Sequence, residues 1–348
     1  MTAPLHNCRP ALTFFHVPPN VPAGFGSGGM AVYTDVSFEE LETVLSGYDV
    51  GQPLSFKGIA EGVENSNFYL QTDRGAYFLT LYEKRVSETD LPFFLGLMEH
   101  LAARGIACPE PIRRRDGAQW SQINGRPGAL VSFLNGLSLR RPEAMHCAAA
   151  GDALAKLHAA GAGFAIHRPN ALGPDGWGPL VEKTADGADA IEGGLRALIA
   201  EGHASVVANW PKDLPQGVIH ADLFPDNVLF MGTAVSGLID FYFACNDALA
   251  YDLAVMLNAW CFEGDGAYNI TKGKALIAAY QAKRALTAEE KAALPVLCAG
   301  AALRFLLTRL YDRINHDPTA LVRPKDPRDF SKRLRFHLTA KSSAEYGL

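Results

Sequence analysis

Residues 220–227 read HADLFPDN, placing His220, Asp222 and Asn227 directly after the apolar approach Gly217-Val218-Ile219. Thirteen residues after Asn227, Asp240 closes a second apolar run, VSGLID. The segments NVLF and VSGLI, joined by MGTA, read as a strand, a turn and a strand. Such a hairpin sets Asn227 beside Asp240. An amide carbonyl and a carboxylate are hard oxygen donors, suited to Mg²⁺. Asp222, five residues before Asn227, then faces the same ion's substrate without ligating it. A cation over phosphates and a carboxylate orienting a hydroxyl are the main requirements of phosphoryl transfer. The bland alternative is a turn, because FPDN is good turn chemistry and Asp and Asn commonly bend loops. A turn accounts for residues 224–226 but leaves Asp222, Asn227 and Asp240 unexplained as a set.

The elements around this hairpin fall into two regions. SFEELETVLSGY predicts a short helix capped by Ser37, with Glu40 three residues on. FYLQT and AYFLTLY flank DRG as two strands of a hairpin. ETDLPFFLGLMEHLAARG predicts a helix, with further strands at 119–123 and 129–133. FLNGLS, residues 133–138, reads as the crossing into a second region dominated by helices. These include PEAMHCAAAGDALAKLHAAG and the capped segment starting at Thr287, within which Pro295 predicts a kink or restart. The expected fold class is α+β: a small antiparallel sheet with one helix, followed by a larger helical lobe. The expected division is 30–134 and 135–348, with 1–29 a disordered extension holding five prolines.

Composition narrows the partners. A 348-residue chain with a formal net charge of −5 gives no electrostatic case for nucleic acid or an anionic membrane. The run Val296 to Leu307 is interrupted by Arg304, so no membrane span is expected, and the cysteines are expected to be reduced thiols of a cytoplasmic protein. The six cysteines, at 8, 108, 147, 245, 261 and 298, lack the spacing of a zinc or redox motif.

HADLFPDN followed by GLIDF resembles the catalytic and metal-binding loops of the aminoglycoside phosphotransferase and choline kinase superfamily, relatives of the protein kinases. The order of segments agrees from about Tyr33 to about His337. The resemblance implies a two-lobed kinase-like fold with ATP and Mg²⁺ between the lobes. Asp222 is then the catalytic base, Asn227 and Asp240 the metal ligands, His220 a brace and Asp252 a second structural acid. The nucleotide is expected under the first hairpin, near Gly58, Gly62, Asn65, Ser66 and Asn67, with Glu64 in the same polar corner. The adenine is expected against the backbone of Ser132–Leu134. One departure stands out. Where such folds place a phosphate-binding lysine, this chain has Thr80, leaving Lys57, Lys84 or Arg85 to supply charge. The helix acid that normally pairs with that lysine would be Glu99 or Glu88.

The longer segments GVENSNFYL, LTLYE, LPFFLGLMEHLA, FLNG and LIDFYFACNDALAYDLAVMLNAWCF closely resemble the homoserine kinase branch of this superfamily. That implies phosphorylation of L-homoserine by ATP, toward threonine, and Thr80 fits that branch. Tyr242, Asp247 and Trp260 become candidates for the substrate ammonium, and Arg304 and Arg309 for its carboxylate. Each is equally well read as core or surface. The alternatives are a kinase of choline, ethanolamine, methylthioribose or an aminoglycoside, and a non-catalytic nucleotide-binding scaffold.

Overall fold

The computed structural model describes residues 34–59, 65–83, 86–316 and 323–348. The expectations for residues 1–29 and for Gly62, Glu64, Lys84 and Arg85 lie outside the described residues.

Helix α1 (Phe38–Leu45) starts at the expected box: the Ser37 hydroxyl accepts from Glu40 N–H at 3.2 Å, and Glu40 accepts from Ser37 N–H at 2.7 Å. These bonds satisfy two donors that a helix start otherwise leaves orphaned. Five antiparallel strands follow: β1 (Pro53–Ile59), β2 (Asn65–Thr72), β3 (Gly75–Tyr82), and then, after helix α2 (Leu91–Ala102), β4 (Ser121–Ile123) and β5 (Arg126–Ser132). Their spatial order is β1-β2-β3-β5-β4. Alternating side chains divide the sheet by faces. Phe68 and Leu70 of β2, Leu79 and Leu81 of β3 and Leu130 of β5 pack beneath Leu41 and Leu45 of α1. The buried face of α2, with Phe93, Phe94, Leu97 and Met98, joins a separate, larger core shared with the helical region.

That region contains α3 (Ala144–Ala160), α4 (Pro174–Ile191), α5 (Leu195–Asn209), β6 (Gln216–Ile219), β7 (Val228–Met231), β8 (Ala234–Leu238), β9 (Cys245–Ala248), α6 (Leu249–Trp260), α7 (Ile270–Gln281), α8 (Ala288–Ile314) and α9 (Arg328–Thr339). Two small antiparallel pairs, β6 with β9 and β7 with β8, frame the polar loops. Of the kink or restart expected at Pro295, the restart does not occur, and one helix runs through it. The backbone bond lost at the proline costs little beside the packing of α8 on α4, α5, α6 and α9. Contrary to the sequence reading, α8 is long and apolar enough to cross a membrane by those measures alone. In the fold it is the central core helix, with Leu297, Leu303, Leu306 and Leu307 fully buried.

The crossing between the regions is tight. Gly136 has φ +146°, and a Cβ there would fall 2.3 Å from the Ser236 hydroxyl, so glycine is required. Ser236 donates to the Asn135 carbonyl at 2.7 Å. A second bolt joins the regions where Arg168 donates to Asp90 at 3.1 Å and to the Ala244 carbonyl at 3.2 Å.

Candidate active site

The β7–β8 hairpin does what its sequence implies. Val228 pairs with Leu238, and Ile239 N–H donates to the Asn227 carbonyl at 3.0 Å. The residues flanking the two strands, Asn227 before and Asp240 after, therefore leave the hairpin at the same end. Asn227 is buried, and its Nδ2 donates to the Asp222 carbonyl at 2.8 Å and to Asp222 Oδ2 at 3.2 Å. With the nitrogen committed, the amide oxygen is the end available to a cation. Asp240 stands in left-handed backbone, φ +65°, and is exposed to solvent. A non-glycine residue pays strain for that conformation, which tends to persist where function requires it. Two oxygen donors of the hard type at one end of a hairpin fit Mg²⁺ as part of a shell completed by phosphates and water.

Asp222 follows β6 through His220 and Ala221. Ala221 is also left-handed, φ +62°. Three contacts hold it there. Asp252 Oδ2 accepts from His220 N–H at 2.7 Å and Asp252 Oδ1 from Ala221 N–H at 2.8 Å. The Arg304 guanidinium donates to the Ala221 carbonyl. His220 crosses to the other loop: its Nδ1 accepts from Asp222 N–H at 3.3 Å, so its Nε2 carries the proton donated to the Ile239 carbonyl at 3.0 Å. One imidazole thus ties the turn bearing Asp222 to the strand end bearing Asp240.

The electrostatics follow from burial. Burial pushes the Asp222 carboxyl well above its usual range and Asp240 adds to the rise, while Arg304 opposes it. Such a carboxylate readily takes up a proton. Burial would raise Asp252 as well, but hydrogen bonds and charge from His158 and His220 outweigh it and hold Asp252 below the usual carboxylate value. Burial holds His220 low, with Asp252 partly offsetting it.

Asp252 is itself braced from behind. His158 Nε2 lies 3.2 Å from Asp252 Oδ2, and His158 Nδ1 lies 2.8 Å from the Tyr280 hydroxyl. Arg284 donates to that hydroxyl at 3.2 Å and to the fully buried Glu290 at 2.7 Å. The chain of bonds runs from the capping box of α8 to the turn before Asp222. The sequence gives His158 no role beyond one face of α3 and Glu290 none beyond the capping box with Thr287, and it carries no signal for Tyr280 or Arg284.

In the sheet, Gly58 pairs with Phe68, Asn65 and Ser66 are buried, and Ser66 donates to Glu83 at 2.7 Å. Thr80, opposite Asn67 in the β2–β3 register, donates to the Asn67 amide oxygen at 2.9 Å. Glu99 pairs with Arg113 at 2.7 Å and Glu88 accepts from Gln122 at 3.0 Å, so neither faces Thr80. The buried acid at the end of β3 is Glu83, 3.2 Å from Arg126, which the sequence reading did not single out. The Ser132 hydroxyl accepts from Glu110 N–H at 2.9 Å, and Leu134 packs against Gly237 of β8.

The five substrate candidates part company. Tyr242, two residues after Asp240, packs edge-to-face against Tyr82 and Phe94 with its hydroxyl 3.3 Å from that of Tyr82. Asp247 accepts from Asn170 at 2.7 Å and lines a cavity of about 290 Å³ with Trp210 and Lys212, apart from Asp222. Trp260 is buried and donates from its indole to the Leu223 carbonyl at 2.8 Å. Arg304 is 2% exposed, sits over Phe305 and Phe243, and is committed to the Ala221 carbonyl. Arg309 stacks on Phe330, lies 3.5 Å from Asp329 and feels the charge of Asp222.

A sequence model of the phosphotransferase enzyme family matches residues 55–286. The homoserine kinase of Parvibaculum lavamentivorans is 61% identical over 319 residues, 92% of this chain and 99% of its own length. That of Rhizobium meliloti is 60% identical over 92% of this chain and 98% of its own length. Among solved structures, an amicoumacin kinase in complex with AMP-PNP, Ca²⁺ and Ami aligns with TM-score 0.64 at 13% identity, over 89% of this chain and 93% of that one. An aminoglycoside phosphotransferase from Alicyclobacillus acidocaldarius aligns with TM-score 0.59 at 16% identity, over 88% and 92%. At such identities the structural likeness speaks for the fold alone, which is the α+β, protein kinase-like fold expected from the sequence.

Proposed function

From the premise that the chain belongs to the phosphotransferase enzyme family, and within it to the homoserine kinases, we propose how its residues divide the work. The enzyme transfers the γ-phosphoryl group of ATP to the hydroxyl of L-homoserine, giving O-phospho-L-homoserine and ADP, a step toward threonine. The observation that carries the site assignment is the hydrogen-bonded set Asp222, Asn227 and the hairpin end at Asp240, held by one imidazole.

Asp222 orients the homoserine hydroxyl and accepts its proton as the oxygen attacks phosphorus and the bond to the ADP oxygen breaks. Its raised pKa suits a group that takes the proton during the step and must release it afterwards. Asn227 Oδ1 and Asp240 are the residues to hold Mg²⁺, which when bound neutralises phosphate charge. Asn227 Nδ2 meanwhile fixes one Asp222 oxygen, so the other carboxylate oxygen meets the acceptor. His220 and Asp252 act by holding the two loops in register.

Residues 30–134, which include the five-stranded sheet of β1 to β5, make up the nucleotide lobe and residues 135–348 the acceptor lobe. Gly58, Asn65, Ser66 and Asn67 lie on the phosphate side, Ser132 and Leu134 at the adenine. Phosphate binding there relies on backbone N–H groups and amide and hydroxyl dipoles, because Thr80 brings no charge. The enzyme works in the cytoplasm on small molecules. ADP release with Mg·ATP, measured against L-homoserine, choline, ethanolamine, methylthioribose and kanamycin, tests the reading. Turnover is expected with homoserine. Turnover with choline or kanamycin and none with homoserine overturns it.

A further inference from the structure

A cavity of about 520 Å³ opens beside the turn that carries Asp222. Pro225 of that turn and Trp260, whose indole holds the Leu223 carbonyl, form part of its wall. Arg140, Arg141, Lys332 and Arg333 line it as well. The placement of Arg333 is unusual. Its guanidinium carbon lies 4.3 Å from the Phe330 ring centroid and 5.4 Å from that of Phe262. The Arg309 guanidinium lies 4.5 Å from the same Phe330 ring. Two cations therefore share one aromatic ring in a partly buried place. Burial, with Arg309 adding to it, pushes Arg333 down to about 10. Arg309 has Asp329 at 3.5 Å, but among the described residues no carboxylate lies within ion-pair distance of Arg333. Like charges crowded in low dielectric are relieved by an anion, and a guanidinium offers a carboxylate two parallel donors.

The location fits the acceptor. Phe224, two residues after Asp222, packs on Phe330 with centroids 6.3 Å apart. Arg309 is within electrostatic reach of both Asp222 and Arg333. Asp329, on the wall of the same cavity, is 54% exposed and offers a counter-charge to an ammonium. Cation and carboxylate side by side match the two charged ends of an amino acid better than a simple amino alcohol.

We propose that Arg333 is the residue that selects an amino-acid acceptor, binding its α-carboxylate with Arg309 behind it. This rests on the homoserine kinase reading and names a specificity residue within it. The test compares L-homoserine with 3-amino-1-propanol, which keeps the amine and the hydroxyl and lacks the carboxylate. In R333M the KM for homoserine is expected to rise about 10- to 100-fold, the worth of a hydrogen-bonded charge. The KM for ATP and the kcat/KM for 3-amino-1-propanol should stay within about twofold of wild type, which also reports that the variant is folded. R333K, which keeps the charge and loses the fork, should fall between the two. If R333M does not fold, R333K must raise the homoserine KM alone. An unchanged homoserine KM, or an equal loss on both acceptors, overturns the proposal while the homoserine kinase reading stands. No ADP release from wild type with homoserine overturns both.

Discussion

Asp252, on α6, holds the N–H of Ala221 at 2.8 Å and so fixes a non-glycine residue in left-handed backbone one position before Asp222. Arg304 grips the carbonyl of the same residue from α8. The direction of the Asp222 side chain is therefore set by two helices that are distant in sequence, and not by the turn alone.

Asp222→Asn keeps the shape of the side chain and removes its basicity. Steady-state assays should show kcat lowered by about 10²- to 10⁴-fold, the usual worth of a positioned base. ATP affinity, followed by calorimetry, should hardly change. Near-normal turnover would exclude Asp222 as the base.

Asn227→Ala and Asp240→Ala each remove one hard oxygen donor. Both variants should need more Mg²⁺ for half-maximal rate, by about tenfold or more, with part of the lost rate recovered at high Mg²⁺. A Mg²⁺ titration that superimposes on wild type would place the cation elsewhere. Asn227→Ala should recover less, because it also frees the Asp222 oxygen held at 3.2 Å.

Left-handed backbone at Ala221 separates two substitutions. Ala221→Gly removes the steric cost of φ +62°, so urea melts should find it within about 1 kcal/mol of wild type, with activity kept. Ala221→Val adds a branched Cβ in the same conformation and should lose several kcal/mol together with most activity. Equal behaviour of the two would mean that the turn relaxes to ordinary backbone.

Burial, with Arg333 nearby, holds His337 down to about 3 from an ordinary 6.5. The ring accepts from the Tyr346 hydroxyl at Nδ1 (2.9 Å) and donates from Nε2 to Asn258 Oδ1 (3.0 Å), which fixes the neutral form. The unfolded chain binds this proton below about 6.5 and the folded chain not until about 3. Stability is thus present above that window and is lost as pH falls through it, by up to about 1.4 kcal/mol per unit. His220, lowered by burial, acts in the same direction. Denaturant melts at pH 7, 6 and 5 should show this slope, and His337→Gln should flatten it. An unchanged slope in the variant would assign it to other groups.

How much of this was legible follows from distance along the chain. Asn227 and Asp240 flank one hairpin, so their spacing nearly determines that they leave it at the same end, and Asp222 lies only five residues before Asn227. The kinase-like sheet was legible because β2 and β3 are rich in aromatic and apolar residues on either side of a DRG turn. Strand β9 was not, since CNDA carries no apolar alternation and earns its strand by pairing with β6. Helices α4 and α5 are poor in strong signals, with Pro179 and several glycines interrupting them. Arg304 reaches Ala221 across 83 residues, and its pattern on α8 is that of any long amphipathic side chain. Arg333 and the His158–Tyr280 brace depend likewise on packing between helices, which no local pattern encodes.

Cys108, Cys147, Cys245, Cys261 and Cys298 are all buried free thiols. Three of them, Cys147, Cys261 and Cys298, lie in α3, at the end of α6 and in α8, the helices behind the turn that carries Asp222. A water-soluble thiol reagent can reach them only when those helices part. The rate of labelling therefore times the opening of the large lobe, and saturating nucleotide and acceptor should slow it. The chain thus carries its own set of clocks for local unfolding, read as the mass that each thiol label adds.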